Sequence, residues 1–294
     1  MVIGRAGGAQ RPPRFRPGRW LGVLPFFAFT GMFLIAPVLR MVSRSLQDDD
    51  GNFTLDNYRS LADDQIVQAY SGSVRLSLLT ALIGCVIGFF LAWALSIGGL
   101  PRWLRTPVVT FAAMASNFAG VPLAVAFMFT LGGNGILTTW LELAGFDLYS
   151  TGFALHKFVG LALVYAFFQI PLMVLVLLPA FDGLKKDWRE AAENLGATPR
   201  QYWRHVAFPI LLPSLLGTFL LLFGNAFGAY ATAQVLTGGS GTPLATLLIG
   251  QQISGDVLNN QGLGMAVAVG MLIIMSFAIL FYSVLQRRSE RWLG

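Results

Sequence analysis

The chain has 294 residues, of which 55% are hydrophobic and only 12% are charged. Soluble globular proteins carry about 25% charged residues, so this composition excludes a soluble globular class and indicates an integral membrane protein with one membrane domain. The net charge is +6, but the basic residues are not gathered into a readable nucleic-acid-binding patch, and we expect no nucleic-acid partner. The single cysteine, Cys85, excludes both an intrachain disulfide and a thiolate metal cluster.

Six apolar runs are long enough to cross a bilayer as helices of about 20 residues. They predict an all-α membrane protein whose membrane domain covers residues 20–286, with spans at 20–42, 72–98, 106–132, 158–181, 211–236 and 262–286. Residues 1–19 form a basic, proline-rich tail that we expect to be disordered, and residues 287–294 form a second tail. The first run contains Pro25 and Pro37 and lacks a small-residue cleavage site, which favours an uncleaved span over a signal peptide.

The distribution of charge predicts the orientation of the spans. If both termini are cytoplasmic, 15 of the 20 basic residues lie in cytoplasmic segments, whereas nine of the 14 acidic residues lie outside. The positive-inside rule therefore places both tails and the polar loop 182–210 in the cytoplasm.

The spans lack the groups that would let the chain energise transport or catalyse a reaction. No Asp, Glu or Lys lies in the central part of a span, which counts against ion coupling. No G-x-x-x-x-G-K-[ST] motif is present to hold ATP. His156 and His205 have no neighbouring cluster of carboxylates or cysteines. We expect no catalytic residue, metal site or cofactor in this chain.

Several uncharged polar and aromatic residues do occur within the spans. They are compatible with hydrogen bonds between helices or with the lining of a solute pathway, and glycines at 224 and 228 would let a helix or a solute approach the backbone of the fifth span. The candidate pathway residues are Asn117, Tyr165, Gln169, Asn225, Tyr230 and Gln234.

The polar stretch "DWREAAENLGATPRQYWRHVAFP", residues 187–209, predicts a helix, a hinge and a second helix. Asp187 followed by Glu190 predicts a first capping box, and Thr198 followed by Gln201 predicts a second one. Gly196 between them is typical of a helix end in the left-handed conformation.

The first of these helices carries a small apolar face, formed by Trp188, Ala192 and Leu195, among charges of both signs. A basic amphipathic helix on lipid headgroups is one interpretation. The mixture of acidic and basic residues around an apolar centre favours docking to a protein instead.

The spacing Glu190-Ala191-Ala192, three residues, Gly196, nine residues, Val206-x-Phe208-Pro209 resembles the cytoplasmic signature E-A-A-x3-G-x9-I-x-L-P of binding-protein-dependent ABC importer permeases. Val206 and Phe208 depart conservatively from Ile and Leu. The resemblance implies a type I ABC importer permease fold in a prokaryotic cytoplasmic membrane. It also implies that the loop is a coupling helix seated on a separate cytoplasmic ATPase.

The resemblance further implies the partners. These are an ATPase dimer that binds ATP and Mg²⁺, a second six-span permease that is a homologue or a copy of this chain, an extracytoplasmic solute-binding protein and the lipid bilayer. It assigns the coupling contact to Glu190, Ala191, Ala192 and Gly196. Exposure and chemistry add four residues, namely Trp188, Arg200, Tyr202 and Trp203.

The substrate is indicated less directly. The segments "SRSLQDDDGNFTLDNYRSL" and "GNAFGAYATAQVLTGGSGTPLATLLIGQQI" look most like the spermidine/putrescine branch, which is similar to permeases for thiamine, ferric iron, sulfate and phosphonates. The acidic segment could concentrate a cation or serve only as a solvated loop. Two further alternatives are an ion-coupled secondary transporter and a membrane anchor that recruits a soluble partner.

Overall fold

A computed structural model describes residues 23–48, 50–239, 241–254 and 260–290. The predicted tail 1–19 lies outside these ranges. Within them the chain is helical, with no β-strand and a single isolated bridge between Gln47 and Phe53. In chain order the helices of seven or more residues are α1 Leu24–Ser45, α2 Asp64–Ser96, α3 Arg102–Asn117, α4 Gly120–Leu131, α5 Ile136–Leu143, α6 Phe158–Asp182, α7 Lys186–Asn194, α8 Pro199–Phe227, α9 Ala231–Thr237, α10 Ala245–Ser254 and α11 Gln261–Glu290. A short helix, Asp56–Arg59, continues into a 3-10 turn at Ser60–Ala62 between α1 and α2.

Six helical segments in the described residues are long and apolar enough to cross a membrane, as predicted. They are Leu24–Ser45, Asp64–Ser96, Gly120–Leu143, Phe158–Asp182, Pro199–Phe227 and Gln261–Val284. The bounds differ from the prediction because polar turns continue the membrane helices. Helix α8 begins 12 residues before the predicted position 211, and α11 continues past 286 to Glu290.

Two predicted spans are not continuous helices. The span 106–132 is interrupted at residues 118–119, between α3 and α4. In an unbroken helix Pro122 would lack an amide for the carbonyl of Phe118, whereas in the first turn of α4 no such bond is needed. The span 211–236 is interrupted at residues 228–230, between α8 and α9. There Gly228 ends α8, and the Tyr165 hydroxyl of α6 donates to the carbonyl of Ala229 within the interruption.

Helix α6 forms the centre of the bundle and packs against α2, α3 and α8. The face of α2 toward α6 and α8 is lined by small residues, which lets the helix backbones approach closely. A Cβ atom added to Gly84 would lie 3.0 Å from Gln169 Cβ, and one added to Gly88 would lie 2.5 Å from Met173 Cβ. This contact, which we call the α2–α6 seam, is therefore closed to larger side chains.

Helix α1 lies at the periphery, with its main contact on α11. None of the residues in its apolar membrane window is buried within the chain. Polar hydrogen bonds join the loop after α1 and the start of α2 to neighbouring segments. Asn57 donates through Nδ2 to the carbonyls of Ser45 and Gln47, and Tyr70 donates through its hydroxyl to the carbonyl of Val267.

Candidate functional site

The polar segment between α6 and α8 contains α7, which begins at Lys186 with Lys185 in the extended conformation at the cap position. No side chain caps this end. The predicted capping box of Asp187 and Glu190 is therefore wrong, because the cap position is Lys185, two residues before Asp187, and Asp187 lies in the first turn of the helix. In that position its carboxylate interacts favourably with the helix dipole without closing a cap.

The hinge at Gly196 is confirmed in detail. Gly196 has φ +78°, its amide donates to the carbonyl of Glu193 at 2.9 Å, and the amide of Ala197 donates to the carbonyl of Ala192 at 2.9 Å. These two hydrogen bonds form a Schellman motif. A Cβ atom at Gly196 would meet no atom within 4 Å, so glycine is required here by the backbone conformation and not by space.

The second capping box is also confirmed and starts α8. The amide of Gln201 donates to Thr198 Oγ1, and the amide of Thr198 donates to Gln201 Oε1 at 2.8 Å. Pro199 occupies the first helical position, where its missing amide costs nothing. The hinge and this cap together set the direction in which α7 leaves the bundle.

Helix α7 has no buried residue. Leu195 is 88% exposed and Trp188 is 37% exposed, and Lys185 Nζ lies 5.7 Å from the centre of the Trp188 ring. Arg189 Nε donates to Glu193 Oε1 at 2.8 Å, and this hydrogen bond raises the pKa of the Arg189 guanidinium. Glu190 and Ala191 are exposed and Ala192 is partly buried. The helix thus presents apolar and charged groups together on an outward surface.

The structure places the other predicted coupling residues differently. The sequence predicts that Tyr202 is exposed and contacts the ATPase, but its side chain is buried. The burial of this side chain does not support a role in docking. Trp203 is partly buried and packs against a core cluster of α2, α6 and α8. Arg200 is exposed, but it faces a groove beside α2. The outward surface of this polar segment is therefore formed by α7 and its hinge.

The predicted pathway residues separate into two sets at the helix breaks. Tyr165 and Gln169, one turn apart on α6, are fully buried. The Tyr165 hydroxyl donates to the carbonyl of Ala229 at 2.8 Å, and Gln169 Nε2 donates to the carbonyl of Leu222 at 2.8 Å. These two residues form hydrogen bonds between helices, which was the alternative interpretation from the sequence. They hold the break between α8 and α9.

The two breaks lie against each other. Helix α9 packs on α4, and the amide of Gly120 donates to Thr232 Oγ1 at 2.9 Å. Gly120 has φ +72°, which lets α4 begin directly after the extended residue Ala119. Sequence reasoning missed this junction, although Pro122 was a local signal for the first break.

The second set of predicted pathway residues lies in or near the two breaks along the chain, with side chains that are exposed or partly buried. Asn117 and Asn225 are exposed, Tyr230 is 42% exposed and Gln234 is partly buried. Asn117 Nδ2 donates to the carbonyl of Ala113 in its own helix. Interrupted membrane helices are tolerated where they are buried in protein or line a water-filled cavity. In the described part of the chain, no three His, Cys, Asp or Glu residues are grouped to hold a metal ion.

Residues 84–293 match the model of the family described as "binding-protein-dependent transport system inner membrane component". The match covers more than half of the chain, including the breaks, α7 and the hinge. The chain belongs to this family. It is therefore the permease component of an ABC importer and a multi-pass inner-membrane protein, and this component is a transport subunit and not an enzyme.

Two curated relatives of this permease component have different substrates in their names. It is 26% identical over 225 residues to the sulfate transport system permease protein CysT of Escherichia coli K12, covering 76% of this chain and 77% of the relative. It is also 26% identical over 263 residues to the spermidine/putrescine transport system permease protein PotB of Salmonella typhimurium LT2, covering 85% and 88%. The polyamine branch is thus not singled out.

Solved structures confirm the fold of this permease component. A chain of a bacterial ABC transporter involved in the import of the acidic polysaccharide alginate matches with a TM-score of 0.72, 17% identity and coverage of 92% of this chain and 95% of that one. A chain of the inward-facing MetNI methionine ABC transporter matches with a TM-score of 0.52, 18% identity and coverage of 76% and 95%. The predicted type I importer permease fold is confirmed.

Proposed function

We propose that this chain pairs with a second permease and moves a small solute inward by alternating access, driven by a separate ATPase that contacts α7. The observation that carries this proposal is the geometry of α7. Its exposed Trp188 and Leu195, its charges and its fixed hinge lie outside the bundle, where a partner subunit can reach them. Closure of the ATPases would favour one membrane conformation over the other, and α7 would transmit that difference.

The proposal assigns the coupling contact to Glu190, Ala191, Ala192 and Gly196, with Trp188 beside them. It places both termini and α7 in the cytoplasm, because most basic residues lie on that side. ATP and Mg²⁺ would be bound by the ATPase dimer. A solute-binding protein on the outer side would deliver the substrate. A solved structure of a bacterial alginate ABC transporter contains an alginate pentasaccharide-bound periplasmic protein, which supports a delivery partner of the same kind.

We further propose that the solute passes the junction of the two broken spans. Asn117, Asn225 and Tyr230 offer neutral polar and aromatic groups there. The buried side chains of Tyr165 and Gln169 donate hydrogen bonds to the backbone in and before the break between α8 and α9. A pathway at this junction would require no ionisable group within the membrane, which agrees with the composition of the spans.

For the substrate we propose a polyamine. Cation–π contact with Tyr230 suits an ammonium group, and the outer surface carries exposed carboxylates at Asp56, Asp63 and Asp64 that would attract a cation. Sulfate is the second candidate, supported by the relatives named for sulfate transport. Binding of spermidine, putrescine and sulfate to the cognate solute-binding protein, measured by calorimetry, separates the two. Tight sulfate binding without polyamine binding would overturn the polyamine assignment and leave the permease assignment intact.

The coupling proposal is tested by Gly196→Asp in liposomes reconstituted with the ATPase, the second permease and the binding protein. Position 196 has room for a side chain, but its backbone conformation disfavours every residue other than glycine. The substitution should therefore shift the hinge, and ATP-driven uptake should fall at least about tenfold. Gly145→Asp is the matched control, because Gly145 has φ +87°, equally open surroundings and a position far from α7. Full uptake by Gly196→Asp, or uptake by the chain without an ATPase, would contradict the proposal.

A further inference from the structure

A groove of about 500 Å³ opens where the last turns of α2 meet the first turns of α8. Five of its seven lining side chains are aromatic and the other two are arginines. Phe90 and Trp93 from α2 and Trp203 and Phe208 from α8 form the aromatic wall, and Arg200 and Arg204 lie beside it with exposed side chains. The groove therefore combines a long apolar surface with two cationic groups.

The local helix geometry of α8 builds this wall. Residues Trp203–Ala207 form a π-type turn, in which the amide of Phe208 donates to the carbonyl of Trp203 five residues earlier. In a regular α-helix, side chains five residues apart point about 140° from each other. The wider turn instead brings Trp203 and Phe208 to the same groove, one below the other.

The arginines of the groove are free for a ligand. The carboxylate of Asp182, at the same end of the bundle, accepts from Arg105 at 2.6 Å and from Ser96 at 2.7 Å. Glu193 is paired with Arg189. Across the described ranges of the chain, no salt bridge involves Arg200 or Arg204. No acidic residue lines the groove, so its net charge is positive.

We propose that this groove binds an anionic phospholipid, whose phosphate is held by Arg200 and Arg204 and whose acyl chain lies against the aromatic wall. Guanidinium groups recognise phosphate oxygens through paired hydrogen bonds, and Trp and Arg are favoured at the depth of lipid headgroups. The occupant is a lipid because the groove is formed by two membrane-spanning helices and its lining is predominantly aromatic. The assignment of the groove to the cytoplasmic leaflet rests on the orientation proposed above. The lipid site itself does not depend on that orientation.

Native mass spectrometry of the full chain in a neutral detergent tests the proposal. Phosphatidylglycerol and phosphatidylcholine of equal chain length are titrated separately, and glycerol phosphate is added as a headgroup without acyl chains. We expect phosphatidylglycerol to bind at least about tenfold more tightly than phosphatidylcholine, since each interfacial arginine contributes about fivefold toward an anionic lipid. Arg200→Gln/Arg204→Gln should abolish that preference. Arg40→Gln/Arg75→Gln, which removes two exposed arginines away from the groove, should retain it.

Each other outcome overturns the proposal. Equal binding of the two lipids by the wild type, or an unchanged preference in Arg200→Gln/Arg204→Gln, would exclude headgroup recognition here. An equal loss in Arg40→Gln/Arg75→Gln would indicate a nonspecific effect of charge. Displacement by glycerol phosphate alone would identify a free-anion site. Unchanged lipid preference with lost ATPase binding in Arg200→Gln/Arg204→Gln would assign these arginines to a protein interface. Melting of each variant in phosphatidylcholine checks that it is folded.

Discussion

The α2–α6 seam and the hinge after α7 both depend on glycine, for opposite physical reasons. At Gly88 the backbone is ordinary helix, but an added Cβ atom would lie 2.5 Å from Met173 Cβ. At Gly196 an added Cβ would meet nothing, but φ is +78°. At the seam, the choice of residue is thus limited by the volume available to a side chain, and at the hinge it is limited by the backbone conformation. The difference implies that changes in the seam act on the whole bundle, whereas changes in the hinge act on the position of one exposed helix.

The largest effect is expected from Gly88→Leu. Overfilling a packed interior costs about 1–3 kcal/mol and occasionally more, and here the new side chain also meets the carbonyl of Ile170. We expect a loss at the upper end of that range, measured as a fall in the thermal midpoint and in the yield of monodisperse protein in detergent. Gly31→Leu is the control, because Gly31 lies in α1 with no atom within 4 Å of its added Cβ. Equal behaviour of the two variants would show that the seam is not close-packed.

A smaller effect is expected from Tyr165→Phe, which leaves the seam intact and releases the break between α8 and α9. The change leaves the carbonyl of Ala229 without its hydrogen bond in a partly buried place, at a cost of about 1–3 kcal/mol. We expect a lower thermal midpoint together with reduced uptake, because the break is fixed by this contact. Tyr149→Phe removes a similar hydroxyl bond, to the carbonyl of Leu131, from a less buried loop. A Tyr165→Phe protein no less stable than Tyr149→Phe would contradict this role.

The membrane spans could be predicted from the sequence because length and hydropathy suffice to identify an apolar helix. The two breaks were not predicted. Pro122 was a local signal for the first one, but the geometry of both breaks is set by contacts made across the bundle. The hydroxyl of Tyr165 reaches a carbonyl 64 residues away, and Thr232 reaches Gly120 over 112 residues. A polar residue in a span shows that a partner is needed, but it does not show whether that partner is another helix or a solute.

The coupling loop was more readable because its shape is set by neighbours in the chain. Gly196 and the box of Thr198 and Gln201 involve only residues within a few positions of each other. The predicted start of α7 is wrong because Asp187 and Glu190 fit the capping pattern, whereas the helix begins two residues earlier, after Lys185. The burial of Tyr202 was missed because it depends on how α8 packs into the bundle.

The smallest effect is expected from Thr198→Ala. This change removes the side-chain cap of α8, and it can be compared with a change at Asp187, which does not cap α7. Loss of the Thr198 side chain removes the bond from the Gln201 amide and should weaken the first turn of α8 by about 1 kcal/mol. Amide hydrogen exchange in residues 199–204, followed by mass spectrometry, should accelerate about fivefold while exchange in the α2–α6 seam is unchanged.

Asp187→Ala is the comparison, because Asp187 makes no cap hydrogen bond and only a dipole interaction is lost. In Asp187→Ala, the rate of amide exchange in α7 should rise by a smaller factor than the rate in the first turn of α8 rises in Thr198→Ala. The opposite ranking would restore Asp187 as the cap of α7 and move the start of that helix by two residues, from Lys186 to Trp188.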